Sequence, residues 1–162
     1  MRKSVLDRRT FVMGSAGVGA SALVGGMLAG CAPGPDGGAR LSAQEPVPRI
    51  RLSFDGAAVE AVLDEGEAAR AFAALLPLEL AMDDLNGNEK FAALDAPLPT
   101  SPYAPGRVEA GDLMLYGDDC AVLFYESFDT PYRYTRLGRV EDAAALAALA
   151  AAPSVDVTFV TI

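Results

Sequence analysis

The chain has 162 residues, enough for one domain of ordinary size and too few for two well-buried ones. It carries a formal net charge of −9, no histidine, no tryptophan and two cysteines. The lack of histidine argues against Ser-His or Cys-His nucleophiles and against a zinc site, and the acidity argues against nucleic acid as a partner.

The first thirty residues read as a signal peptide rather than as part of a fold. Residues 1–9 are basic, with Arg2, Lys3, Arg8 and Arg9, and residues 12–29 are uncharged and rich in glycine, alanine and small aliphatics. Leu28-Ala29-Gly30-Cys31 then brings small residues up to a cysteine. The glycines and the cysteine at the end favour cleavage over an uncleaved membrane-spanning helix. Asp7-Arg8-Arg9-Thr10-Phe11-Val12 resembles the twin-arginine export motif, with general secretion as the alternative. Leu28-Ala29-Gly30-Cys31 resembles the lipobox of bacterial lipoproteins. That resemblance implies lipidation at Cys31, and two acyl chains on one residue hold a protein stably on a membrane. The expected location is the outer face of the cell membrane.

Residues 31–48 are dense in proline and glycine and read as a flexible tether. From residue 31 onward there are nine Lys or Arg against twenty-one Asp or Glu, a net charge of −12 that keeps an anchored domain soluble. With Cys31 claimed by lipid, Cys120 has no partner for an intramolecular disulfide, so the domain over residues 49–162 relies on its core. Cys120 itself follows Asp119, and acidic neighbours predict an inert thiol.

Within that domain, residues 50–54 alternate apolar and polar, the period of a half-buried strand. Asp55-Gly56 is a hairpin turn signal, with residues 59–63 as the returning strand. Asp64 predicts a cap for a helix from Glu65, with Phe72, Leu75 and Leu76 on its apolar face and Pro77 ending it. Residues 78–82 form another strand. Residues 94–106 hold four prolines and no period, so they read as a long surface loop. Strands are expected over residues 111–116, 121–125, 132–137 and 155–162, and an alanine-rich helix over residues 140–151. Roughly eight strands and two helices predict a mainly β domain, a closed barrel capped by helices, because closure removes exposed edges. A two-layer α+β sandwich is the alternative.

The order of strand, Asp55-Gly56 turn, strand and helix resembles the start of a cyclophilin. Residues 134–141, Tyr-Thr-Arg-Leu-Gly-Arg-Val-Glu, resemble a late cyclophilin segment in which a strand runs into a helix. Residues 84–91, 111–116 and 124–128 look like bacterial cyclophilin-like proteins of unknown function. This resemblance spans the whole domain and implies a cyclophilin-like barrel. True cyclophilins rotate X-Pro bonds over a barrier of about 18–20 kcal/mol, using an arginine in a Phe-His-Arg strand. Here there is no arginine between Arg70 and Arg107, and residues 78–84 carry acids instead. The resemblance therefore implies the fold without the isomerase residues.

Candidate binding residues cluster late in the domain. Tyr116, Phe124, Tyr125, Tyr134 and Arg136, with Tyr103, are suited to grip a peptide or flat ligand by stacking and hydrogen bonding. Cross-strand packing is the simpler account of the tyrosines as a group; an ion pair is the simpler account of Arg136. Glu89 is a candidate pocket acid, against a plain exposed pair with Lys90. Oxygen side chains alternating over residues 84–89 suggest a calcium loop, but the glycine and glutamate that such a loop needs are missing, and Asn86-Gly87 is an ordinary turn pair. No metal or cofactor is expected. The preferred reading is a non-catalytic module binding a peptide or small ligand. The rival is an enzyme using Glu89 and Arg136 as an acid–base site, or a weak isomerase whose arginine comes from another strand. Both versions place Glu89 and Arg136 in one cavity.

Overall fold

The computed structural model describes residues 48–162; the expected signal peptide, Cys31 and the expected tether up to residue 47 lie outside the described residues. Ten strands are present: β1 (Arg49–Phe54), β2 (Ala57–Leu63), β3 (Leu78–Leu85), β4 (Glu89–Ala93), β5 (Arg107–Val108), β6 (Asp112–Tyr116), β7 (Cys120–Phe124), β8 (Phe128–Asp129), β9 (Thr135–Val140) and β10 (Ser154–Thr161). Eight of them close a barrel in the order β1-β10-β3-β4-β7-β6-β9-β2, and β2 pairs back onto β1. Every pairing is antiparallel. The short β5 and β8 pair with each other outside the barrel. A helix, α1 (Glu67–Ala73), and a 3-10 helix (Ala143–Ala151) complete the domain.

The barrel interior is filled from every wall, with Ile50, Leu52, Leu63, Met82, Leu113, Leu115, Leu123, Leu137 and Phe159 all essentially inaccessible. Phe72 of α1 packs edge-on against Phe159, with ring centroids 5.6 Å apart. The strands that meet this core on one side and solvent on the other alternate as expected; β1 and β10 do so most cleanly. β6 and β7 are different. Four consecutive residues of each are buried. A second apolar layer (Val108, Met114, Val122, Phe124 and Tyr134) covers their outer face.

Four local expectations need correction. β4 falls where the sequence shows turn residues and a mixed run. It exists because Asn86 and Gly87, both at positive φ, reverse the chain and lay Glu89–Ala93 between β3 and β7. The third late strand lies over Thr135–Val140, not residues 132–137. Gly138 explains the shift: a Cβ there would sit 2.5 Å from the Val62 carbonyl, so only glycine lets β9 close against β2. The first helix, expected from Glu65 up to Pro77 with Asp64 as its cap, runs only over Glu67–Ala73 and has Gly66 at its N-cap, with no side-chain cap. The alanine-rich segment is a 3-10 helix beginning at Ala143, and three residues per turn bring Leu146 and Leu149, its two buried residues, onto the same side.

Candidate functional site

Glu89 and Lys90 are neighbours on β4, and both are buried. They are not the exposed pair that their sequence suggests, because adjacent strand residues point to opposite faces. Lys90 turns into the end of the barrel. Its ammonium pairs with Asp84 at 3.0 Å and donates to the Ala152 carbonyl. Asp84 also accepts from the Tyr125 hydroxyl at 2.5 Å and from the Gly87 amide at 2.9 Å. The hydrogen bond from Tyr125 holds the Asp84 carboxyl below its usual range, with Lys90 acting in the same direction. These partners occupy the acid that a calcium loop would need.

Glu89 faces outward, beneath the aromatic layer. Among the described residues its side chain meets no hydrogen-bond donor. Burial, followed by the nearby Asp84 charge, raises its pKa from 4.5 to about 7. It lines a cavity of about 500 Å³ together with Leu85, Asn86, Phe91, Tyr116, Cys120, Val122, Phe128, Tyr132 and Tyr134. The strands set this lining. Phe91 stands across from Val122, Val122 from Met114, and Met114 from Arg136, forming one row on the outer wall. In the next row Cys120 lies across from Tyr116. Tyr116 meets Tyr132 edge-on at 5.9 Å and Tyr134 at 5.7 Å. Phe124 lies underneath, edge-on to Tyr134 at 5.4 Å and to Phe128 at 5.7 Å. The half-buried Cys120 thiol is pushed up by burial, then by Asp119 and Glu89, which makes it a poor nucleophile.

Arg136 lies in a different cavity. That cavity, about 600 Å³, is lined by Asp64, Gly66, Glu67, Ala68, Pro99, Thr100, Ser101, Tyr103, Thr135 and Arg136. The Arg136 guanidinium sits over the Tyr103 ring at 5.4 Å and forms no ion pair among the described residues. Tyr103 and Tyr134 exchange backbone hydrogen bonds of 2.9 and 3.0 Å. Tyr103 lines the Arg136 cavity and Tyr134 the Glu89 cavity, so this bridge stands between the two.

The expected single site is therefore divided. Glu89, Tyr116 and Tyr134 come together, and Tyr103 and Arg136 come together elsewhere. Phe124 and Tyr125 line neither cavity. Phe124 is a wholly buried support, and Tyr125 points the other way, to Asp84. Glu89 and Arg136 line different cavities, so the single pocket expected of them under both the binding and the enzyme readings does not form. The sequence puts Phe128 and Tyr132 within its aromatic cluster without singling them out as lining, and gives no sign of Leu85, Asn86, Phe91, Cys120 and Val122 as lining. Phe91 shares a face with Glu89 two residues away, a signal readable only once β4 is recognised as a strand.

A family model for the Cyclophilin-like family matches residues 52–160. Among solved structures, the solution structure of a hypothetical protein from Archaeoglobus fulgidus is similar, with a TM-score of 0.50 at 20% identity. The match covers 75% of this chain and 100% of the archaeal one, a likeness of fold. No curated protein matches the chain.

Proposed function

The chain belongs to the Cyclophilin-like family, and from that premise we propose that it is a membrane-anchored extracytoplasmic lipoprotein whose domain binds a peptide or small ligand through the aromatic cavity. One observation carries the binding reading. Leu85, Tyr116 and Tyr132 are 42%, 46% and 57% exposed, and all three converge on the same cavity. Large apolar side chains left open around a concavity of ligand size, with a single carboxyl at one end, suit an apolar or aromatic group carrying one hydrogen-bonding handle. Near neutral pH Glu89 is partly protonated, so it can donate to a carbonyl as well as accept. The export signal and Cys31 supply the anchoring half of the proposal.

The chain has no tryptophan, so tyrosine emission reports directly on a cavity lined by three of its five tyrosines. Titration with short peptides bearing proline or aromatic residues is expected to give a saturable change that Tyr132→Ala abolishes. If none of these ligands perturbs the emission, the binding reading fails. For the anchor, Cys31→Ser is expected to move the protein from the membrane to the soluble fraction; unchanged fractionation would refute lipidation at that residue.

A second reading rests on Arg136. It stands exposed on the same outer wall, in register with Met114, Val122 and Phe91. A weak prolyl isomerase with its arginine on β9 fits that placement. Isomerisation of a short X-Pro peptide above background, lost in Arg136→Ala, would establish it in place of the non-catalytic reading.

A further inference from the structure

The Arg136 cavity holds charges of both signs that do not neutralise each other. Arg136 stands on β9, while Asp64 and Glu67 come from the turn into α1 and its first residue. All three line one cavity, yet no ion pair joins them. Four other arginines, Arg49, Arg51, Arg107 and Arg139, each find a carboxylate, Arg133 donates to the Pro102 carbonyl, and Arg70, like Arg136, forms no ion pair among the described residues. The Arg136 guanidinium lies over the Tyr103 ring, 5.4 Å from the centroid, and the same exposed side chain lines the cavity with its planar set of donors. The Tyr103 hydroxyl is itself buried without a hydrogen-bond partner among the described residues. Thr100 and Ser101 add short polar groups to the same wall.

We propose that this cavity is a binding site for a small zwitterion, its carboxylate taken by Arg136 and its ammonium by Asp64 and Glu67. An arginine pre-oriented by stacking loses little freedom when it makes paired hydrogen bonds to a carboxylate. The two acids opposite neutralise an ammonium and repel a second negative charge, so a simple anion is disfavoured. At about 600 Å³ the cavity suits an amino acid or a molecule somewhat larger. The site is independent of the aromatic cavity, which lies beyond the Tyr103–Tyr134 bridge.

The test is calorimetric titration of the purified protein with a series of ω-amino acids: glycine, β-alanine, 4-aminobutanoate, 5-aminopentanoate and 6-aminohexanoate. Each is paired with its N-acetyl and its carboxamide derivative. At least one zwitterion is expected to bind, with both blocked forms about tenfold weaker or worse, the usual consequence of losing a charged hydrogen-bond partner. Arg136→Gln and Glu67→Gln are each expected to weaken the zwitterion by a similar factor, whereas Tyr132→Ala in the other cavity leaves it unchanged. Failure of every zwitterion to bind overturns the proposal. So does a blocked form that binds as tightly as its parent, or undiminished binding by Arg136→Gln. None of these outcomes bears on the aromatic cavity, whose own test is tyrosine emission.

Discussion

The inner and outer faces of the wall formed by β4, β7 and β6 are both buried, but they are finished differently. Inside, Leu113, Leu115, Ala121 and Leu123 meet the opposite wall with no accessible surface left. Outside, Met114, Val122 and Phe124 are covered by aromatic residues from the loops, and that cover stops short, leaving the cavity around Glu89. The contrast is sharpest in two consecutive residues. Lys90, on the inner side, is fully buried and has a carboxylate and a carbonyl as partners. Glu89, on the outer side, is nearly as buried and has none. A buried charge with partners belongs to the architecture; a buried acid without them, beside an open cavity, is a group available to a ligand.

Four measurements test this contrast. The largest effect is expected inside: Leu123→Ala should cost about 3–4 kcal/mol in chemical denaturation, the usual cost of a cavity in a packed core. A loss below about 1 kcal/mol would mean the inner face is no tighter than the outer. Next, Asp84→Ala leaves the Lys90 ammonium buried without its carboxylate, and a loss of about 3 kcal/mol is expected.

Glu89→Gln should act in the opposite direction. The folded-state pKa of Glu89 is about 7, above its ordinary 4.5. The stability associated with its protonated form is therefore complete below pH 4.5 and is lost as pH rises through about 7. Glutamine mimics that protonated form, so the variant should be more stable than the parent by about 2–3 kcal/mol at pH 8. Below pH 4.5 the two should be equal. A pH-independent difference would show that Glu89 is ordinary in the folded state. The smallest expected effect on stability is that of Tyr132→Ala, about 0.5 kcal/mol or less because the side chain is more than half exposed, although the same change is expected to abolish ligand binding. A stability loss as large as that of Leu123→Ala would make Tyr132 a structural residue.

Several features of this wall could be read in the sequence, and others could not. The continuous apolar runs of β6 and β7 are visible as runs, yet a run alone does not reveal that loops cover the outer face. β4 was unreadable because its alternation is between Glu89 and Phe91 on one side and Lys90 and Ala92 on the other. A charge therefore falls on each face, and only the partners around Lys90 make its burial tolerable. Arg136 stood out as a functional candidate, and no ion pair claims it in the structure. Its grouping with Glu89 did not survive, because the two stand three strands apart around the barrel, on β9 and β4.

By itself the sequence determined the mainly β character and most of the strands, through the two-residue alternation and the Asp-Gly turn. These are local properties, expressed by the backbone within a few residues, whereas closure of the barrel rather than a sandwich rests on pairing between distant strands. Tertiary structure alone decided the division of the candidate residues between two cavities, the inward turn of Tyr125 and the isolation of Glu89. Each depends on which strands become neighbours when the barrel closes, and that neighbourhood is set by contacts between residues far apart in the chain.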